Sequence, residues 1–435
     1  MVSLDIRLLR KNVFALLAGQ VSKLAIQAAY FVVLARMLGA TGYGAFAAAV
    51  ALAALVSPYS SLGTNTLMIK NVARDSLDAS PEWKRALLYT TSGGLLFSIL
   101  LALFSAQIAP QGVSSLAILQ IALADLVGLR LVDLVGSVWQ SLGRHRALAI
   151  LPSLANLLRL IAALLMWLVA SQSSLDTWAT VYLLATLPLG IFVVIQTTVK
   201  LGYFKGSARI SLDELKEGFL YSTALASQNI YNDIDKAMLG RLISATSAGV
   251  YSAAYRIIDM AYAPIRSVSA AAYPLYFREG QDGLRSALRL TRKISPMVLG
   301  YAVVGSIGVA LVAPLAPLIL GSDYVEAVDF VRLMAWLIIL RALTFLAADA
   351  LTGSGHQRYR TFVQVAVAVL NVFLNLYLIP SYGILGAVIS TLACEAILGI
   401  LLWCYIGVGM KLKRTSGGRR AKRGKRGRRR ETVHS

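Results

Sequence analysis

The amino-acid sequence predicts an all-α polytopic membrane protein with twelve transmembrane helices in two six-helix lobes related by a parallel internal repeat. Three observations carry this: an apolar, charge-poor composition, apolar runs of membrane-crossing length, and a segment that recurs 205 positions further on. The 435 residues are 57% hydrophobic and only 14% charged, with mean hydropathy +0.67. A soluble globular chain carries about 45–50% apolar and about 25% charged residues, so an ordinary soluble enzyme, a disordered chain and a coiled coil are excluded.

A helix needs about 20 mostly apolar residues to cross the hydrocarbon core. Twelve such runs occur, at 13–38, 43–68, 86–108, 114–142, 147–170, 178–200, 217–240, 248–275, 293–320, 327–352, 360–380 and 382–408. They are continuous rather than alternating, which selects helices over barrel strands. The first is too long for a signal peptide and has no small-residue cleavage site, so it is expected to remain as a membrane anchor. Cys394 and Cys404 share the last run. On one helix they stand about 15 Å apart, too far to bond each other.

Charge in the connections sets the orientation. One side collects Arg7, Arg10 and Lys11, then Lys70, Arg74, Lys84 and Arg85, then Arg144 and Arg146. The same side continues with Lys200, Lys205, Arg209 and Lys216, then the group from Arg278 to Lys293, then Arg358 and Arg360. The tail from Lys411 to Arg430 adds twelve more basic residues. Arg36 and Arg241 alone mark the opposite side. Both termini are therefore expected in the cytoplasm. The tail supplies more than half of the net charge of +21. With four glycines and no aromatic residue it is expected to be disordered and to touch anionic lipids. No nucleic-acid partner is expected, because nothing provides a fold or aromatic platform for one.

The repeat aligns Leu34-Ala-Arg-Met-Leu-Gly-Ala-Thr-Gly-Tyr-Gly-Ala-Phe46 with Leu239-Gly-Arg-Leu-Ile-Ser-Ala-Thr-Ser-Ala-Gly-Val-Tyr251. Leu34, Arg36, Ala40, Thr41 and Gly44 match Leu239, Arg241, Ala245, Thr246 and Gly249. A weaker echo pairs residues 143–146 with 355–358. Both copies join the first and second helices of a six-helix half, so the halves are parallel, with their axis along the membrane normal. The expected division is an N-lobe at 1–205, a C-lobe at 206–410 and the basic tail at 411–435.

Three passages carry a family resemblance. They are Leu34 to Phe46; Asn232-Asp-Ile-Asp-Lys-Ala-Met-Leu-Gly-Arg241 with Gly249 to Arg256; and Leu370-Asn-Val-Phe-Leu-Asn-Leu-Tyr-Leu-Ile-Pro-Ser-Tyr-Gly-Ile-Leu-Gly-Ala387. In these the chain resembles the multidrug/oligosaccharidyl-lipid/polysaccharide exporter superfamily, specifically its polysaccharide-transporter branch of O-antigen-type flippases. The resemblance spans roughly residues 5–410. It implies a flippase that moves a polyprenyl-(pyro)phosphate-linked oligosaccharide from the inner to the outer leaflet of a prokaryotic cytoplasmic membrane by alternating access. It also implies membership in surface-glycan assembly, beside glycan polymerase or assembly proteins. The alternatives are a cation-coupled multidrug or small-molecule exporter of the same superfamily, and a membrane glycan polymerase or ligase. Against the enzyme, His145, His356 and His434 all fall on the cytoplasmic side, and the longest outer connection offers only Asp323 and Glu326. No P-loop is present, because Gly424-Lys425 lacks the required flanking residues. No cofactor or metal is expected.

A buried charge costs on the order of 2.5–3.5 kcal/mol at mid-membrane and needs a partner or a wet cavity. A phosphate head group would need cationic partners along its path, bidentate from Arg and point-like from Lys. Lys23 lies on a polar stripe with Gln20 and Gln27, about 15 Å deep, and no acid shares its helix. Arg159 follows Asn156 by one turn, with Asp125 and Asp133 as alternative ion-pair partners. Arg256 stands one turn before Asp259, and Arg266 is left over on the same helix. These four, Lys23, Arg159, Arg256 and Arg266, are the candidate phosphate and cavity residues, with structural ion pairing as the competing role. Arg130 and Asp133 are expected to pair across one turn. The resemblance adds ion coupling through intramembrane acids, for which Asp233, Asp235, Asn371 and Glu395 are the candidates. Pairing of Glu395 with a basic residue of another helix is the competing reading.

Overall fold

The computed structural model describes the backbone of residues 6–75, 79–142, 146–169, 174–201 and 212–431, and side chains between 24 and 408 apart from short stretches. Arg144, Lys205 and Arg209, and the side chains of Lys23, Lys70, Arg74, Arg146 and the basic tail, lie outside the described residues.

The chain opens with α1 (Ile6–Ser60), α2 (Thr64–Asp75), α3 (Ala79–Leu103), α4 (Ser105–Ile108) and α5 (Ser115–Ala122). A π-helical turn, Leu123–Leu129, leads into α6 (Arg130–Ser141), followed by α7 (Arg146–Val169) and α8 (Leu175–Leu201). Then come α9 (Leu212–Leu242), α10 (Ala245–Gly280), α11 (Leu284–Val312) and the short α12 (Ala316–Leu320). The chain ends with α13 (Ala327–Met334), α14 (Trp336–Gly353), α15 (Gln357–Tyr382) and α16 (Ile384–Glu431). No strand occurs among the described residues. In α16 the backbone stays helical into the basic segment, where the sequence leads one to expect disorder.

Nine stretches of the described residues are long and apolar enough to cross a membrane. One of them, Leu24–Ser60, holds two passages, because Gly39 breaks α1 at φ 65°, ψ 179°. Helices α9 and α10 carry too many polar and charged side chains to qualify on apolarity, yet have 31 and 36 residues. With them the helical passages number the twelve expected from the sequence. The protein is thus an all-α polytopic membrane protein.

By contacts the chain clusters into two compact units, a division of a different kind from one drawn on a sequence repeat. The first comprises Met1–Met260, Val312–Val331 and Val372–Val388. Its apolar packing centres on buried Trp83, Val132, Leu134 and Val138, with Trp83 Nε1 donating to Thr198 Oγ1 at 3.0 Å. Small residues let backbones meet, as is usual where lipid supplies no hydrophobic drive between helices. A Cβ on Gly63 would fall 2.4 Å from the Gly218 carbonyl oxygen. Nearby, Arg85 of α3 bonds Glu214 of α9 at 3.1 Å. The second unit comprises Ala261–Leu311, Arg332–Asn371 and Ile389–Ser435. There Gly280 and Gly353 make a similar close approach, a Cβ on Gly280 falling 2.1 Å from the Gly353 carbonyl oxygen.

Candidate functional site

In the first unit two polar networks lie within the helical passages. One joins the π-helical turn to α7 and α8. Asp125 Oδ1 accepts from Arg159 Nη2 at 3.2 Å and from the Tyr182 hydroxyl at 2.6 Å. Arg159 Nε donates to Thr186 Oγ1 at 3.0 Å, and the guanidinium lies 4.2 Å from the centre of the Tyr182 ring. The π turn itself places Asp125: one extra residue per turn redirects a side chain, and such bulges recur at functional positions. Of the two ion-pair partners the sequence offers for Arg159, the structure selects Asp125. Arg130 pairs with Asp133 at 3.5 Å, as the one-turn spacing predicts, and also donates to Ser57 Oγ at 2.6 Å.

The other network joins α9, α10 and the second passage of α1. Lys236 Nζ meets Asp233 Oδ1 at 2.5 Å and the Asn232 carbonyl oxygen at 3.1 Å, and lies 4.4 Å from the Tyr255 ring centre. Asp235, 1% exposed, accepts from the Tyr251 hydroxyl and from the Lys236 backbone amide. Arg256, one helical position past Tyr255, lies beside Tyr43. Asn229 ties α9 to α1 through the Ala54 carbonyl oxygen at 2.7 Å. Asp233, Asp235 and Arg256 thus belong to one cluster of the first unit, to which Lys236 contributes a further cation. Lys236 lies in the Asn232–Arg241 passage and is not one of the candidate site residues read from the sequence, although its one-turn spacing from Asp233 is legible there.

In the second unit Arg266 is exposed, with its guanidinium 5.9 Å from the Tyr262 ring, and Arg341 lies at the same distance from that ring. Glu395, 3% exposed, stands 4.0 Å from Arg341 Nε, a partner on another helix. Asn371, 1% exposed, donates from Nδ2 to Ser390 Oγ at 3.2 Å. A second buried acid, Asp349, accepts from Ser269 at 3.0 Å and faces Arg360 at 3.8 Å. Its partners come from two other helices, Ser269 from α10 and Arg360 from α15, so spacing within α14 does not reveal the pairing. Among the described residues no cluster of His, Cys, Asp and Glu is arranged to hold a metal ion.

Comparison with known proteins agrees with this architecture. The profile of a family described as "Polysaccharide biosynthesis protein" matches residues 9–279, and that of a second family, MatE, matches residues 222–377. Two curated relatives come from Haloferax volcanii. The probable low-salt glycan biosynthesis flippase Agl15 is 22% identical over 254 residues, 56% of this chain and 52% of the relative. The probable flippase AglR is 27% identical over 228 residues, 50% of this chain and 46% of the relative. The chain therefore spans about half the length of the curated relatives it matches. Among solved structures, an inward-facing multidrug resistance MATE family transporter of the MOP superfamily superposes with TM-score 0.71 at 14% identity, covering 91% of this chain and 96% of that one. The lipid II flippase MurJ in an inward closed conformation gives 0.70 at 13% identity, covering 91% and 87%. At such identities the likeness is one of fold.

Proposed function

The chain belongs to the polysaccharide biosynthesis protein family, and from that premise we propose that it is a flippase for a polyprenyl-(pyro)phosphate-linked oligosaccharide. The reading places it in a prokaryotic cytoplasmic membrane with both termini inside, where it turns the glycan from the inner to the outer leaflet for surface-glycan assembly. The observation that carries it is a family match over 9–279 that contains the cation- and tyrosine-bearing cluster of α9 and α10. The curated relatives, both named as flippases, support it.

In this reading Lys23, Arg256 and Arg266, joined by Lys236, meet the phosphate charges, which would otherwise face hydrocarbon. Tyr43 and Tyr255 flank two of these cations and offer ring faces and hydroxyls to the sugars. Arg159 acts at one remove: its guanidinium already meets Asp125, Thr186 and the Tyr182 ring, so it positions α7 against α8. The polyprenyl tail stays in lipid while the head group crosses. Asp233, Asp235, Asn371 and Glu395 are the groups through which an ion gradient would drive the cycle.

Export of a small cationic molecule is the second reading, favoured by the MatE match at 222–377. One experiment separates the two. Purified protein in liposomes is given a fluorescent polyprenyl-diphosphate disaccharide, and in parallel a cationic dye. Movement of the labelled lipid between leaflets, lost in Arg256→Ala and not competed by the dye, is the expected result. Dye movement without lipid movement would replace the flippase with an exporter.

A further inference from the structure

The cluster of α9 and α10 already holds an anion of its own. Lys236 Nζ meets Asp233 Oδ1 at 2.5 Å and the Asn232 carbonyl oxygen at 3.1 Å, and the Tyr255 ring centre lies 4.4 Å away. An ammonium has three donors, so at most one is left for a further oxygen. A carboxylate therefore stands where a phosphate would have to approach this cation, and no phosphate can take the short contact while Asp233 keeps it. Tyr43 of α1 lies beside both Lys236 and Arg256. The two cations thus share a neighbour, which suits a ligand that carries two negative charges.

The two carboxylates of the cluster are held differently. Asp235 is 1% exposed and accepts from the Tyr251 hydroxyl of α10 and from the Lys236 backbone amide, so it is fixed between two helices. The Asp233 side chain is 28% exposed, and Lys236 is its one hydrogen-bond and ion-pair partner among the described residues. That contact spans a single turn of one helix, so breaking it separates no two elements. Packing therefore does not require Asp233 at this position. Its partial exposure lets water solvate the carboxylate once it swings away, which the enclosure of Asp235 does not allow.

We infer that Asp233 is a built-in counter-anion: its carboxylate occupies the place on Lys236 that a substrate phosphate takes, so the two compete for one ammonium. The inference rests on the transport of an anionic head group proposed above. With the site empty, the pair keeps Lys236 neutralised inside a membrane-crossing helix, where a lone charge is costly. When a head group enters, its phosphate displaces the carboxylate, which turns to water. On release the carboxylate returns to the ammonium, and the competition that weakens binding also speeds departure. A transported group has to bind well enough to enter and weakly enough to leave, and Asp233 sets that balance at Lys236.

The test is Asp233→Asn, which keeps the shape and an acceptor oxygen but removes the competing charge. Binding of the fluorescent polyprenyl-diphosphate disaccharide to purified protein in detergent should tighten by roughly 10- to 100-fold, the worth of one charge-assisted hydrogen bond expressed as affinity. Asp233→Glu, which keeps the charge, should bind as weakly as the wild type, and Asp235→Asn should not tighten binding. Flipping by Asp233→Asn should saturate at lower substrate and run more slowly, because release has lost its competitor. Unchanged or weaker binding by folded Asp233→Asn would make the pair structural and overturn the inference. A second measurement needs no lipid-linked substrate. Asp233→Asn leaves Lys236 without its counter-charge, so sodium sulfate should raise the thermal midpoint of this variant more than that of the wild type or of Asp233→Asn/Lys236→Met. Equal sulfate shifts in the three proteins would also overturn the inference. A selective sulfate shift without binding of the disaccharide would keep the counter-anion and reject the diphosphate-linked glycan as its competitor.

Discussion

Arg159 and Arg256 are both arginines inside membrane-crossing helices, and their surroundings give them opposite tests. Arg159 is 6% exposed and its guanidinium meets Asp125, Thr186 and the Tyr182 ring. Removing one member of a buried ion pair strands the other and costs about 3–5 kcal/mol. Arg159→Ala should therefore lower the amount of monodisperse protein recovered from membranes, and Arg159→Leu with Asp125→Leu should restore part of it. Arg256→Ala should leave the yield normal and abolish flipping if Arg256 meets the substrate, whereas a structural pair with Asp259 would lower the yield. Equal yields for the Arg159 and Arg256 variants would contradict the assignment. Coupling is tested at the same scale. Asp233→Asn, Asp235→Asn and Glu395→Gln are each measured for flipping under an imposed proton or sodium gradient. If none changes the gradient dependence, these acids serve structure alone. The sequence makes part of this legible: Arg130–Asp133 and Asp233–Lys236 are one-turn pairs within a helix. Arg341–Glu395 and Arg360–Asp349 join helices that only the fold brings together, so spacing could not reveal them.

At the scale of the element, Gly39 shows what a single residue decides. The sequence places one apolar run at 13–38 and another at 43–68, and Gly39 falls in the gap. In the structure it adopts φ 65°, ψ 179°, a region open essentially to glycine alone. A Cβ there would also lie 2.7 Å from Asp323 Oδ2. Gly39→Ala should therefore destabilise the protein by about 1–3 kcal/mol, read as a lower thermal midpoint in detergent. Asp323→Ala in the same chain relieves the contact but not the backbone, so it should recover only part of the loss. Full recovery would place the whole cost in the Asp323 contact. The break was legible because a glycine sits between two runs of spanning length. The π turn at Leu123–Leu129 was not, because no residue type marks an extra residue in a helical turn, and it is this turn that carries Asp125. Helices α9 and α10 lie between these cases: too polar for a hydropathy criterion, they were still readable as spans from length, position and the alternation of charged loops.

At the scale of the whole molecule, the orientation expected from the sequence is a sum over many loops rather than a property of any one. Arg36 and Arg241 are the exceptions to the one-sided distribution of loop cations, and each ends a helical passage. The structure gives Arg36 local partners, since its guanidinium satisfies the α12 carbonyls of Leu318 and Ile319. An exception bound to helix-end carbonyls does not weigh against the many cations in the other set of connections. The expected orientation, with both termini inside, rests on the retention of Lys and Arg on the cytoplasmic side. A reporter active only in the cytoplasm should be active when fused after Arg209 or at the C-terminal tail, and silent when fused near Ser322. Ser322 is the sensitive position, because it adjoins the Asp323 and Tyr324 contacts with Ala40 and Ala35 of α1. Activity at Ser322 with silence at Arg209 would invert the molecule. It would then move the contact of Thr41 with Thr246 to the cytoplasmic face.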